Sequence, residues 1–309
     1  MRYPKHLLIG AAFALTTLLP QLADAKVEIV ATLGDLAATA EAVGGEHVDV
    51  TLLASPQEDP HYVDAKPSYV RKVAAADLLI FNGMALETGW LPTLVQNSRN
   101  SGIQSGQKGS FDASEHVERK GTRTDKVSRA EGDVHPEGNP HYSVAPPQMA
   151  RVAMALGKRL GELDEDNAEH YRARAKEFAR EALQTAKYWE KRFGELPDKC
   201  RNVVVYHEAW DYLTDWLDLT PTIAVEPKPG VPPNPKHVVK VISAIEAKTL
   251  PVVIQMEYYP DSNTKLITER TGAYLLEVEG QTREGEDYHK RVNKLGGELY
   301  SAIKARCEE

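Results

Sequence analysis

The sequence predicts an α/β chain built on mostly parallel sheets. Short apolar strands alternate with helix-period segments between residues 27 and 96, and the same rhythm returns between 202 and 305. One long helix-period stretch, 146–193, separates the two halves.

Taken in order, 27–31 reads as a strand, 33–43 as a helix and 48–53 as a second strand. Lys66-Pro67 opens a helix, because proline is tolerated at an early helical position. Residues 77–81 read as a buried strand ending at Asn82-Gly83, and 86–96 as a helix. Between 104 and 139 Gly, Ser, Lys, Glu and Asp dominate, which predicts a flexible surface insertion. In the long stretch Met149, Ala153, Leu156, Leu160 and Leu163 fall at helix spacing, with a break expected at 164–167. Its later part is charged, so one face is solvated, and such a helix makes a stiff connector. The second half reads as strands at 202–206, 222–225, 251–256 and 273–278. Helices are expected at 208–216, 235–248, 261–271 and 288–305. No sequence repeat relates the halves. The expected organisation is a leader over 1–25, an N-terminal lobe over 26–145, a helical connector over 146–193 and a C-terminal lobe over 194–309.

The leader expectation rests on basic Arg2, Lys5 and His6, an apolar run at 7–19 and the small-x-small site Ala23-Asp24-Ala25. The run is too short to span a bilayer, so a secretory signal is expected rather than an anchor. No cysteine lies near the cleavage site, so a lipid-anchored form is not expected. The net charge of −8 argues against nucleic acid and anionic membrane as partners. The two cysteines, Cys200 and Cys307, lack the close spacing of a metal site. In an exported chain a structural disulfide is expected, with two unpaired thiols as the alternative.

There is no P-loop, dinucleotide fingerprint or nucleophile elbow, and the histidines hold the signal. His61 sits in Asp59-Pro60-His61-Tyr62 and His141 in Asn139-Pro140-His141-Tyr142, while His207 ends the strand after Tyr206. Proline fixes φ and stiffens each loop, and neutral imidazole is a good zinc ligand. In open α/β sheets, ligands bind beyond the carboxyl ends of strands. His61, His207 and Glu279 fall there, and three His with one carboxylate make a closed tetrahedral set. Glu277 and Glu257 are alternative fourth ligands. His116 and His135, beside Glu131, Asp133 and Glu137, form either a weak second site or a solvated loop. His170 is expected at the surface, and His47, His237 and His289 have no companions. His207-Glu208-Ala-Trp-Asp211 approaches a zinc-protease helix motif, but the second His is missing and His207 follows a strand.

As a set, these motifs resemble the solute-binding proteins of bacterial zinc and manganese ABC importers, of the ZnuA type. The likeness covers the mature chain. It is carried by the two Pro-His-Tyr loops, Tyr206-His-Glu-Ala-Trp-Asp-Tyr-Leu213, Glu226-Pro-Lys-Pro-Gly230 and Thr271-Gly-Ala273. The resemblance implies two Rossmann-like lobes joined by one long rigid helix, with metal between them. It also implies a monomeric periplasmic protein that binds metal, hands it to a membrane permease and is not an enzyme. By the same resemblance His61, His141 and His207 are ligands, and Glu279 stands where the family usually has Asp. Manganese members tend to have a carboxylate at the third position, where this chain has His207, so zinc is expected. A manganese-binding protein or a metal-dependent adhesin on the same scaffold is the alternative. The insertion lies where zinc members often carry a His-rich loop, and two histidines do not make a metal sponge.

Overall fold

The computed structural model describes residues 25–123 and 132–307. The expected leader, through residue 24, and Glu131 lie outside the described residues. Among those described, no helix is long and apolar enough to cross a membrane.

The first lobe holds β1 (Val27–Ala31), α1 (Gly34–Gly44), β2 (Val48–Leu52), α2 (Pro67–Ala75), β3 (Leu78–Phe81), α3 (Leu91–Ser98) and β4 (Ser110–Asp112). Its strands pair in the order β2-β1-β3-β4, all parallel. The connector is α4 (Pro146–Leu163) and α5 (Ala168–Gly194). The second lobe holds β5 (Asn202–Val205), α6 (Asp211–Trp216), β6 (Thr220–Ala224), α7 (Pro235–Lys248), β7 (Val252–Met256), α8 (Ser262–Thr271), β8 (Tyr274–Val278) and α9 (Tyr288–Cys307). Its sheet repeats the pairing pattern as β6-β5-β7-β8, again all parallel. In each sheet the chain moves to one side of its first strand and then crosses to the other. That reversal opens a crevice at the carboxyl ends of the strands.

Local sequence explains the elements. The strand Val252–Met256 is buried along its whole length, as a parallel strand covered on both faces requires. Pro67, Pro146 and Pro235 each occupy a first helical turn. Asn234 caps α7 by accepting from His237 N at 3.0 Å. Gly272, with φ +75°, ends α8 in the left-handed conformation.

The break expected at 164–167 is present, and α4 folds back on α5. At Gly157 the helices approach so closely that a Cβ would lie 2.6 Å from Ala175 Cβ. The stiff connector is α5, 27 residues or about 40 Å of helix, packed on α1 of one lobe and α9 of the other. Three boundaries differ from expectation. Within the segment expected as a flexible insertion, Ser110–Asp112 forms the edge strand β4 beside β3. Helix α3 begins at Leu91, after a run of turns over 84–90 that opens with positive φ at Met84 and Ala85. Helix α6 begins at Asp211, not at Glu208. Cys200 and Cys307 are joined in a disulfide that ties the end of α9 to the entry of β5.

Candidate metal centre

His61 lies in the loop that follows β2. Asp59 Oδ1 accepts from His61 N at 3.0 Å and contacts His61 Nδ1 at 2.7 Å. His141, just before α4, is mounted alike: Asn139 Oδ1 accepts from His141 N at 3.0 Å. Each intervening proline carbonyl is also held, Pro60 O by Trp90 Nε1 and Pro140 O by Asn82 Nδ2. Asn82 is in turn fixed by Glu87, whose Oε1 accepts from Asn82 N at 2.6 Å. His207 follows β5, and its Nδ1 lies 2.7 Å from Glu226 Oε2. Glu226 follows β6 and also accepts from Gly230 N at 3.0 Å.

These elements bring the three rings together. One ligand atom from each of His61, His141 and His207 lies within 4.8 Å of the others. All three side chains are buried. Carboxylates only accept, so Nδ1 of His61 and of His207 carries hydrogen, which leaves Nε2 as the ring nitrogen available to a ligand. His141 Nε2 is buried with no hydrogen-bond partner. Burial, then the neighbouring imidazoles, holds His141 well below the ordinary histidine range. Burial pushes Asp59 up, but its hydrogen bonds with His61 and the charge of that ring outweigh this and hold its carboxyl low. His141 thus presents a neutral imidazole that can bind a cation without first losing a proton.

A fourth histidine lies outside this 4.8 Å group but against one of its members. His135 Nε2 lies 3.2 Å from His61 Nε2, and His135 Nδ1 lies 2.9 Å from the Met84 carbonyl oxygen. Burial, then the charge of His61, pushes His135 down to about 4. A cavity of about 190 Å³ opens beside the rings, lined in part by Asp133, His135, His141, His207 and Glu208.

The other sequence candidates are placed elsewhere. Glu279, expected as fourth ligand, is instead neutralised by Lys294 Nζ at 2.9 Å and Arg283 Nε at 3.4 Å. Glu257 pairs with Arg283 Nη2 at 3.0 Å, and Glu277 is exposed beside Gln255. Among the described residues no carboxylate joins the three-histidine group. His116 does not accompany His135: its ring stacks on Phe111 at 5.0 Å. Glu137 pairs with Arg119, while Asp133 accepts from Tyr62 Oη at 2.6 Å. His170 is half-buried against His47, ring centroids 4.6 Å apart. Sequence reasoning gave no role to Glu226, although its place directly after a strand and 19 residues beyond His207 was the available signal.

Two parallel α/β lobes on a shared helix, with buried imidazoles converging between them, define a metal substrate-binding protein of the ABC-importer kind, not an enzyme. The chain belongs to the ZnuA family, described as "Zinc-uptake complex component A periplasmic", whose family model matches residues 29–302. It is similar to the manganese-binding lipoprotein MntA of Bacillus subtilis, with 27% identity over 190 residues. That match covers 62% of this chain and 58% of MntA. It is also similar to the manganese ABC transporter substrate-binding lipoprotein PsaA of Streptococcus mitis, with 22% identity over 277 residues and 86% of each chain covered. A crystal structure of ZnuA superimposes with a TM-score of 0.75 at 19% identity, covering 90% of this chain and 99% of the other, a likeness of fold.

Proposed function

We propose that this protein captures Zn²⁺ outside the cytoplasm and delivers it, as a monomer, to the membrane permease of an ABC importer. His61, His141 and His207 are the ligands. The observation that carries this reading is the convergence of three buried imidazoles within 4.8 Å. Imidazole suits zinc, whereas manganese favours a larger share of oxygen ligands. The family description, which names zinc uptake, supports the same metal. The Cys200–Cys307 disulfide supports an oxidising compartment.

Manganese is the second reading, favoured by the names of MntA and PsaA. Competition titration of the chelator-stripped mature chain with zinc and with manganese separates the two. Zinc capture requires one tight zinc equivalent that is lost or much weakened in His207→Ala. Tight manganese with weak zinc establishes the second reading instead.

A further inference from the structure

We infer that His135 is the fourth ligand, closing an all-imidazole tetrahedral site; this rests on the zinc-capture reading above. His61 donates from Nδ1 to Asp59, and His135 donates from Nδ1 to the Met84 carbonyl, an oxygen that only accepts. The two Nε2 atoms are left to face each other, at 3.2 Å. A cation between them would draw on both nitrogens. On tetrahedral zinc, with Zn–N bonds near 2.0–2.1 Å, neighbouring ligand atoms stand roughly 3.3 Å apart. The spacing of the two histidines matches that edge.

The backbone around His135 is held as a ligand mount is held. Asp133 N donates to Pro229 O at 2.9 Å, Gly138 N to His135 O at 3.2 Å and Asn139 N to Lys120 O at 2.7 Å. Asp133 also accepts from Tyr62, the neighbour of His61. Pro229 and Gly230 lead back to Glu226, the partner of His207. The segment therefore docks on groups adjacent to two other ligands. Gly132, at φ +89°, permits the approach, since a Cβ there would lie 2.0 Å from Pro229 O. With four nitrogen ligands and no oxygen, the site discriminates against manganese by ligand type.

X-ray absorption at the zinc edge, on the mature chain loaded with one equivalent of Zn²⁺, counts the imidazoles. The expected count is four in the wild type and three in His135→Ala. Zinc affinity of that variant falls at least about tenfold, since even groups that only orient a ligand are worth 10–100-fold. His116→Ala serves as control and binds as the wild type does. A wild-type count of three, or an affinity untouched by His135→Ala, overturns the assignment while leaving zinc capture standing. A wild type that takes up no zinc overturns both.

Discussion

Asp35 and Arg291, one at the start of α1 and the other in α9, meet at 2.7 Å with both side chains out of contact with solvent. Asp35 Oδ1 also accepts from Thr282 N and Thr282 Oγ1, so the carboxylate is satisfied on both oxygens. Arg291 in turn donates from Nη1 to the Glu279 carbonyl. This pair welds the first lobe to the second independently of α5. Removing one partner strands a buried charge, which costs about 3–5 kcal/mol. Arg291→Ala and Asp35→Ala are each expected to lower the urea midpoint accordingly. The double variant Asp35→Ala/Arg291→Met is expected to cost less than the two single costs added together. Single variants that unfold at the wild-type midpoint would show that the pair does not hold the lobes.

The disulfide closes a loop with a sequence separation of 107. On the chain-entropy account such a crosslink is worth roughly 4–5 kcal/mol, through the unfolded state. Cys200→Ser/Cys307→Ser should therefore melt at a clearly lower temperature under non-reducing conditions. Zinc stoichiometry is expected to stay at wild-type level, because neither cysteine belongs to the histidine cluster. Equal melting temperatures would count against the crosslink as a stabiliser.

Glu87 supplies a pH dependence. Burial raises its carboxyl from the ordinary 4.5 to about 7, against the hydrogen bonds from Thr32, Asn82 and Gly83. Between those values the folded state holds a proton that the unfolded state releases. Its contribution is complete below pH 4.5 and is lost as the pH rises through about 7. Denaturant midpoints of wild type and Glu87→Gln across this window are expected to diverge, with the wild type losing ground as pH rises. The slope is the readout, because the amide also changes the hydrogen bonds. Parallel curves would remove Glu87 as the source.

On the zinc-capture reading, Glu226 orients His207 without touching the cation. Groups in that position are worth about 10–100-fold in metal affinity. Competition titration of Glu226→Gln is expected to show a loss of that size with stoichiometry preserved. His207→Ala is expected to lose more. An unchanged constant in Glu226→Gln would mean that ring orientation is set elsewhere.

Much of the fold was legible because parallel strands buried on both faces leave continuous apolar runs, as Val252–Met256 does. The strand Ser110–Asp112 was not, since three residues are too few to show a period. The start of α3 was misplaced by a turn with positive φ at Met84 and Ala85, residues that carry no glycine-like signal. At the site, the proline mounts and the strand end pointed to His61, His141 and His207, which the structure brings together. His135 lacks the Pro-His-Tyr signature in sequence, and its nearness to His61 across 74 positions is created by tertiary folding. Glu279 lies apart from the histidine group for the converse reason. A place just after a strand says nothing about which cations fold over it, and here Arg283 and Lys294 do.

Asp59 and Glu226 stand behind the rings of His61 and His207 as two fixed carboxylates. As carboxylates they supply two negative charges, and a divalent ion brings two positive ones. On the zinc-capture reading a divalent ion is matched in charge by the pair behind the rings, whereas a monovalent ion falls one unit short of that pair and a trivalent ion exceeds it by one. Either imbalance carries the free-energy cost of uncompensated charge away from water. On that reading the pair favours a divalent ion through residues that never touch it.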